Sequence, residues 1–192
     1  MQRTPTAWRE AAQAAAIFRG AGEHRGLGLA LIQLGIGLRR LANSQDPLVT
    51  LDASQEDLYV LAEEAIGEAV DIFRKDGEVL RLVEATLEFG CVLRDQMRLV
   101  NPEETDFQTQ KRMIGLYRDA ENNLQQAADL AGKHGFRYLA LQAKVDLAWT
   151  HFYAGNYSEA IATGKWAEQG IPEAYIISES EFPASTAVES HF

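Results

Sequence analysis

The chain has 192 residues, of which 46% are hydrophobic and 24% charged, and its formal net charge is -10. That size admits one domain with a real core or a short repeat array. The acidic balance argues against a nucleic-acid partner, whose phosphates it repels, and the single cysteine, Cys91, excludes an internal disulfide and is by itself no metal site.

The chain opens with Arg9 and Glu10 where a signal peptide needs an apolar block. The most apolar window, Gly26 to Leu38, is about half the length that crosses a bilayer. A soluble, reducing, cytoplasmic setting is the expectation, with no membrane partner. Alanine and leucine are abundant and there are only 5 prolines, a balance that favours helix. Apolar spacings of three, four and seven, as in Leu27, Ala30, Leu31, Leu34 and Leu38, carry the helical period. Helices are predicted near 6–20, 23–43, 55–76, 78–99, 106–133, 136–153 and 158–169. Pro47 and Pro102 mark breaks, Ser54 is placed to cap a helix with Asp57 three residues on, and the acidic residues of 101–108 suit a helix start. After Pro172 the periodicity stops, and 173–192, without Lys or Arg, reads as a flexible acidic tail or linker.

The chain also repeats itself. At a shift of 55, Ile17-Phe18-Arg19 falls on Ile72-Phe73-Arg74, Gly22 on Gly77, Ala30 on Ala85 and Gly35 on Gly90. A further shift of 58 takes Gly77 to Gly135, Ala85 to Ala143 and Gly90 to Ala148. Each unit carries a large-apolar/small pair: Leu34-Gly35, Phe89-Gly90 and Leu147-Ala148. Glycine in a helix costs about 1 kcal/mol relative to alanine, so Gly35 and Gly90 predict helix axes that approach too closely for a larger side chain.

Residues 143–172 resemble a tetratricopeptide repeat (TPR). The family's pattern is met by Leu147-Ala148, by Phe152 and Tyr153 beside His151, by Gly155 and Tyr157 in the turn, and by Glu159-Ala160, Ala167 and Pro172. Lys144 and Gly164 depart from it. The earlier units are longer than the ~34 residues of that family, and the last hairpin alone has an evidently short turn. The resemblance implies an all-α, right-handed superhelix (solenoid) of antiparallel hairpins over 1–172. A leading helix at 6–20 would precede units at about 23–76, 78–133 and 136–169. It further implies a non-enzymatic protein-interaction scaffold, or the effector-sensing part of a bacterial regulator attached to an ATPase, protease or transcription-factor domain. The leading helix has no evident hairpin partner, so a fragment of a longer array, or self-association through uncapped ends, is also expected.

In that family the first helix of each hairpin lines a concave groove. Carried over, the groove residues are Ile32, Ile36, Arg39, Arg40, Leu87, Arg94, Gln142, Trp149, Phe152 and Tyr153, with Leu29, Glu84, Cys91, Asp95 and Val145 beside them. An apolar groove with arginines at one end suits an amphipathic helix carrying acidic residues. Other patterns carry less. Asn156-Tyr157-Ser158 fits a glycosylation acceptor but no secretory signal accompanies it. The glycines of "GLGLALIQLGIG" follow no strand. Glu63, Glu64, Glu68 and Asp71 lack the Glu-x-x-His partner helix of a di-iron site and read as a solvated face. His24, His134, His151 and His191 have no ligand spacing. No catalytic residue, metal site or cofactor is expected.

Overall fold

The computed structural model describes residues 7–44, 53–100 and 106–169, with side chains through Lys165. Among the described residues there are seven α-helices and no strand: α1 Ala7–Ala21, α2 His24–Asn43, α3 Gln55–Asp76, α4 Val79–Met97, α5 Phe107–Lys133, α6 Arg137–Tyr153 and α7 Tyr157–Gln169. Pro47, Pro102, Pro172 and the tail expected at 173–192 lie outside the described residues. No described helix is long and apolar enough to cross a membrane.

The helix starts follow local chemistry. Ser54 and Asp57 form a reciprocal capping box: the Asp57 N–H donates to Ser54 Oγ at 3.1 Å and the Ser54 N–H to Asp57 Oδ2 at 2.9 Å. At α5 the cap is Asp106, whose Oδ1 accepts from the N–H groups of Gln108 and Thr109.

Four turns are built alike. Gly22, Gly77, Gly135 and Gly155 sit at φ of 67°, 70°, 76° and 78°, where a β-carbon is disfavoured. In each, the residue after the glycine donates its N–H five residues back: Glu23 to Phe18, Glu78 to Phe73, Phe136 to Ala131 and Asn156 to His151. This is the bonding of a Schellman motif, which satisfies carbonyls at a helix end. The same residue then accepts the first bond of the next helix, as Glu23 does from Leu27 and Asn156 from Ala160. Two expectations are therefore corrected. The short turn at Gly155 is one of four, and α1 has a hairpin partner, since it turns tightly into α2 and packs on it. The long connections are those after α2 and α4.

Each helix packs on the next, most extensively α2 on α3 and α4 on α5. Among non-consecutive pairs the backbones of α2 and α4 and of α4 and α6 approach closely, so the even-numbered helices form one row, while the odd helices are bridged by the ion pairs Arg19–Glu68 and Glu56–Arg112. Close approach occurs at the two predicted glycines. A β-carbon on Gly35 would lie 2.2 Å from Ile66 Cγ1 and 3.1 Å from the Ala62 carbonyl, and one on Gly90 would lie 2.6 Å from Leu124 Cγ. The core of the first half gathers Tyr59, Ile66 and Phe73 of α3 against α2. Phe73 is fully buried, which stabilises by about 1.5–3 kcal/mol. A second cluster joins Leu87 and Cys91 of α4, Leu124 of α5, and Ala143 and Leu147 of α6.

Candidate functional site

The turn glycines give the even helices a common register. Counting from Gly22, Gly77 and Gly135, positions ten, fourteen and seventeen are Ile32, Ile36 and Arg39 on α2, Leu87, Cys91 and Arg94 on α4, and Val145, Trp149 and Phe152 on α6. On α2 and α4 these positions face the following even helix. On α6 they face out.

Between the three helices lies a concavity of about 250 Å³. Ile32, Ile36, Leu87 and Leu139 supply its apolar lining, and Gln33, Glu84 and Gln142 lie on its polar side. Arg81 also lines it and is paired with Glu84 at 2.6 Å. The structure thus brings together Ile32, Ile36, Leu87 and Gln142 of the expected groove. Leu139 and Arg81 were not anticipated, although both lie four residues after a turn glycine, a spacing that marks them as equivalents.

The arginines have a different setting. Arg39 donates to Glu88 at 2.8 Å and to Asp95 at 3.1 Å. Arg94 donates to Asp95 at 2.7 Å and also pairs with Asp146 of α6. Asn43 donates to Asp95 at 2.8 Å, and Tyr59 donates to Asn43 Oδ1 at 2.7 Å. The network thereby ties α2, α3, α4 and α6. Two guanidiniums face three carboxylates, so the assembly carries a net charge of -1 and the expected cationic end of the groove is already occupied from within. Of the three arginines expected to line the groove, Arg40 alone is exposed. The missed signal was again spacing. Glu88 and Asp146 each stand eleven residues after a turn glycine, and each meets the arginine seventeen residues after the preceding one.

Electrostatics separates the two carboxylates of Arg39. Burial pushes the Glu88 carboxyl above its ordinary value, and Arg39 offsets this only in part while Asp146 adds repulsion. Burial presses on Asp95 in the same direction, but Arg94, Arg39 and the Asn43 amide hold it below the usual carboxylate range. Burial would lower the pKa of Arg39 and Arg94, yet their carboxylate neighbours raise both. Tyr59 is pushed up to about 12 by burial and by Asp95. Burial also drives the Cys91 thiol well up, which keeps it protonated and unreactive.

Trp149, Phe152 and Tyr153 form an aromatic cluster with Tyr157. Trp149 meets Phe152 edge-on at 5.7 Å and stacks on Tyr153 at 5.9 Å, while Phe152 meets Tyr157 at 5.7 Å. Arg98 lies over the Tyr153 ring at 6.0 Å. Trp149 is 49% exposed and Phe152 48%. His151, beside them in sequence, turns inward, with its Nδ1 3.1 Å from the Tyr117 hydroxyl.

The remaining patterns are structural. Glu68 pairs with Arg19, Asp71 with Arg74, and Glu63 accepts from Gln96. No group of three or more His, Cys, Asp or Glu among the described residues is placed to hold a metal. A second concavity, about 350 Å³, is lined by Asn43, Gln55, Tyr59 and Arg98. Its polar groups are engaged within the chain, Gln55 donating to the Ala42 carbonyl and Asn43 joining the network above. No family model matches the chain, and the search of curated proteins gives no significant match.

Proposed function

We propose that this protein is a non-enzymatic interaction scaffold. Its even-helix face would take an apolar segment of a protein partner, helical or extended, in the concavity between α2, α4 and α6. The observation that carries the reading is this concavity: apolar side chains from three non-consecutive helices converge on one open surface, with amides of Gln33 and Gln142 at its edge. Such a lining suits side-chain anchors flanked by backbone hydrogen bonds. The four like turns and the α2–α4–α6 row support a TPR-like solenoid, with the even helices as its inner layer. Because Arg39 and Arg94 are bound to in-chain carboxylates, the partner segment is better matched by apolar anchors than by the acidic helix the arginines alone suggest.

Selection of peptides from a displayed random library tests the proposal. Enriched peptides should lose at least tenfold in affinity against Gln142→Trp, which fills the concavity from its half-exposed edge, while that variant keeps its melting temperature. Peptides that bind the variant as well as the parent, or no enrichment at all, would refute it.

A further inference from the structure

At 3.6 residues per turn, Tyr138, Gln142, Val145, Trp149 and Phe152 of α6 fall within an arc of about 80°. Their spacing of four, three, four and three is that of an a/d seam, the pattern by which one helix packs along another. The seam faces out: Tyr138 is 67% exposed and Val145 42%, Trp149 and Phe152 are half-exposed, and Gln142 is partly buried. After Arg137 no exposed residue of α6 is charged. On α4 the equivalents Leu87, Cys91 and Arg94 are covered by α6, so this is a face on which the fold seats a helix.

We infer that this seam pairs with the same seam of a second copy of the chain, the two α6 helices running antiparallel about a twofold axis. Three observations select this occupant. First, the seam is self-complementary. With the axis at the level of Leu147, Trp149 lies opposite Val145 of the second copy and Phe152 opposite its Gln142. Each bulky ring thus meets a smaller side chain, and the symmetry makes each contact twice.

Second, the charges suit self-contact. Two copies of net charge -10 repel at a distance, but no carboxylate lies within the seam, and Asp146 beside it is bound to Arg94. The antiparallel register also sets the start of each α6 beside the Gly155 turn of the other, which brings Arg137 of one copy near Glu159 of the second. Both residues are exposed, and neither is in an ion pair among the described residues. Third, the area is that of an interface. Tyr157 extends the seam from Phe152 at 5.7 Å, and like Tyr138, Trp149 and Phe152 it is at least about half exposed. The four aromatics offer about 400 Å² per copy, at roughly half of the 150–250 Å² that each such side chain can bury. An apolar patch of that size marks an interaction site, and Val145, Ile161 and the charged rim carry it toward the roughly 600 Å² per partner of a small specific interface.

The inference does not rest on the peptide concavity, which Val145, Trp149 and Phe152 do not line. Sedimentation equilibrium of the full chain, from micromolar to submillimolar concentration, tests it. The parent should behave as a reversible monomer–dimer pair. Trp149→Asp places an unpaired charge against Val145 of the second copy and should weaken association by at least about thirtyfold, with the helical circular dichroism kept. Ile17→Asp, at an exposed apolar site on α1, should leave association unchanged. Arg137→Glu should weaken it about threefold, and adding Glu159→Arg should restore it. A parent that stays monomeric throughout, association that survives Trp149→Asp, or an equal loss in Ile17→Asp would overturn the inference. A double variant at Arg137 and Glu159 that recovers nothing would overturn the antiparallel seam.

Discussion

At Asp95, one carboxylate organises four helices. It is 4% exposed and accepts from Arg39, Asn43 and Arg94. Removing the charge leaves the two guanidiniums with only Glu88 and Asp146 as anionic partners in a poorly hydrated site, and breaking such a buried pair costs about 3–5 kcal/mol. Asp95→Asn should lower stability on that scale in chemical denaturation. Glu88→Gln should cost about 1 kcal/mol or less, because the amide oxygen still accepts from Arg39 and burial already disfavours the charge. Gly35 makes the second residue-scale case. Gly35→Ala gains about 1 kcal/mol of helix propensity, but its β-carbon meets Ile66 and the Ala62 carbonyl. Net destabilisation of about 1–3 kcal/mol is expected from overpacking. Ile66→Val should recover part of it in a double-mutant cycle, since the side-chain clash yields and the backbone one does not.

At the scale of elements, helix positions were legible because their signals are local. Apolar spacing, the Ser54–Asp57 pair and the glycines specify each helix through its own neighbours, and the seven observed helices lie close to the predicted spans. The turns were only half legible. A glycine marks a break, but the shared φ near 70° appears only when the backbone closes, so the hairpin between α1 and α2 was missed. Gly77→Ala tests the turn. A β-carbon at φ 70° costs about 1–2 kcal/mol, and Gly77→Asn, which tolerates that conformation better, should cost less. Thermal melts of the two variants check the order.

For the whole molecule, the network sets how stability responds to pH. Asp95 has a depressed pKa, so its contribution is present above the ordinary aspartate range near pH 4 and is lost as pH falls below it. Glu88 has a raised pKa, so its contribution is full at low pH and is lost as pH rises past its elevated value. The two oppose each other on acidification. Glu88→Gln removes the gain, so the variant should lose more stability than the parent as pH falls from neutrality toward the ordinary glutamate range, roughly 4.3. Denaturation midpoints across that interval measure it, and parallel profiles would contradict the assignment.

Sequence by itself determined the all-helical class, the element boundaries, the repeat shifts of 55 and 58, and the close approaches at Gly35 and Gly90, because each rests on spacing within or between neighbouring helices. Tertiary structure decided what the candidate residues face. Residues on α2, α4 and α6 lie about 50 positions apart, and only the packing of even helices in a row shows that Arg39 and Arg94 meet Glu88, Asp95 and Asp146 rather than an open groove. The same row separates the apolar concavity at Leu87 from the exposed aromatic edge at Trp149. A helical period says which residues share a face; what lies opposite that face depends on how distant segments stack.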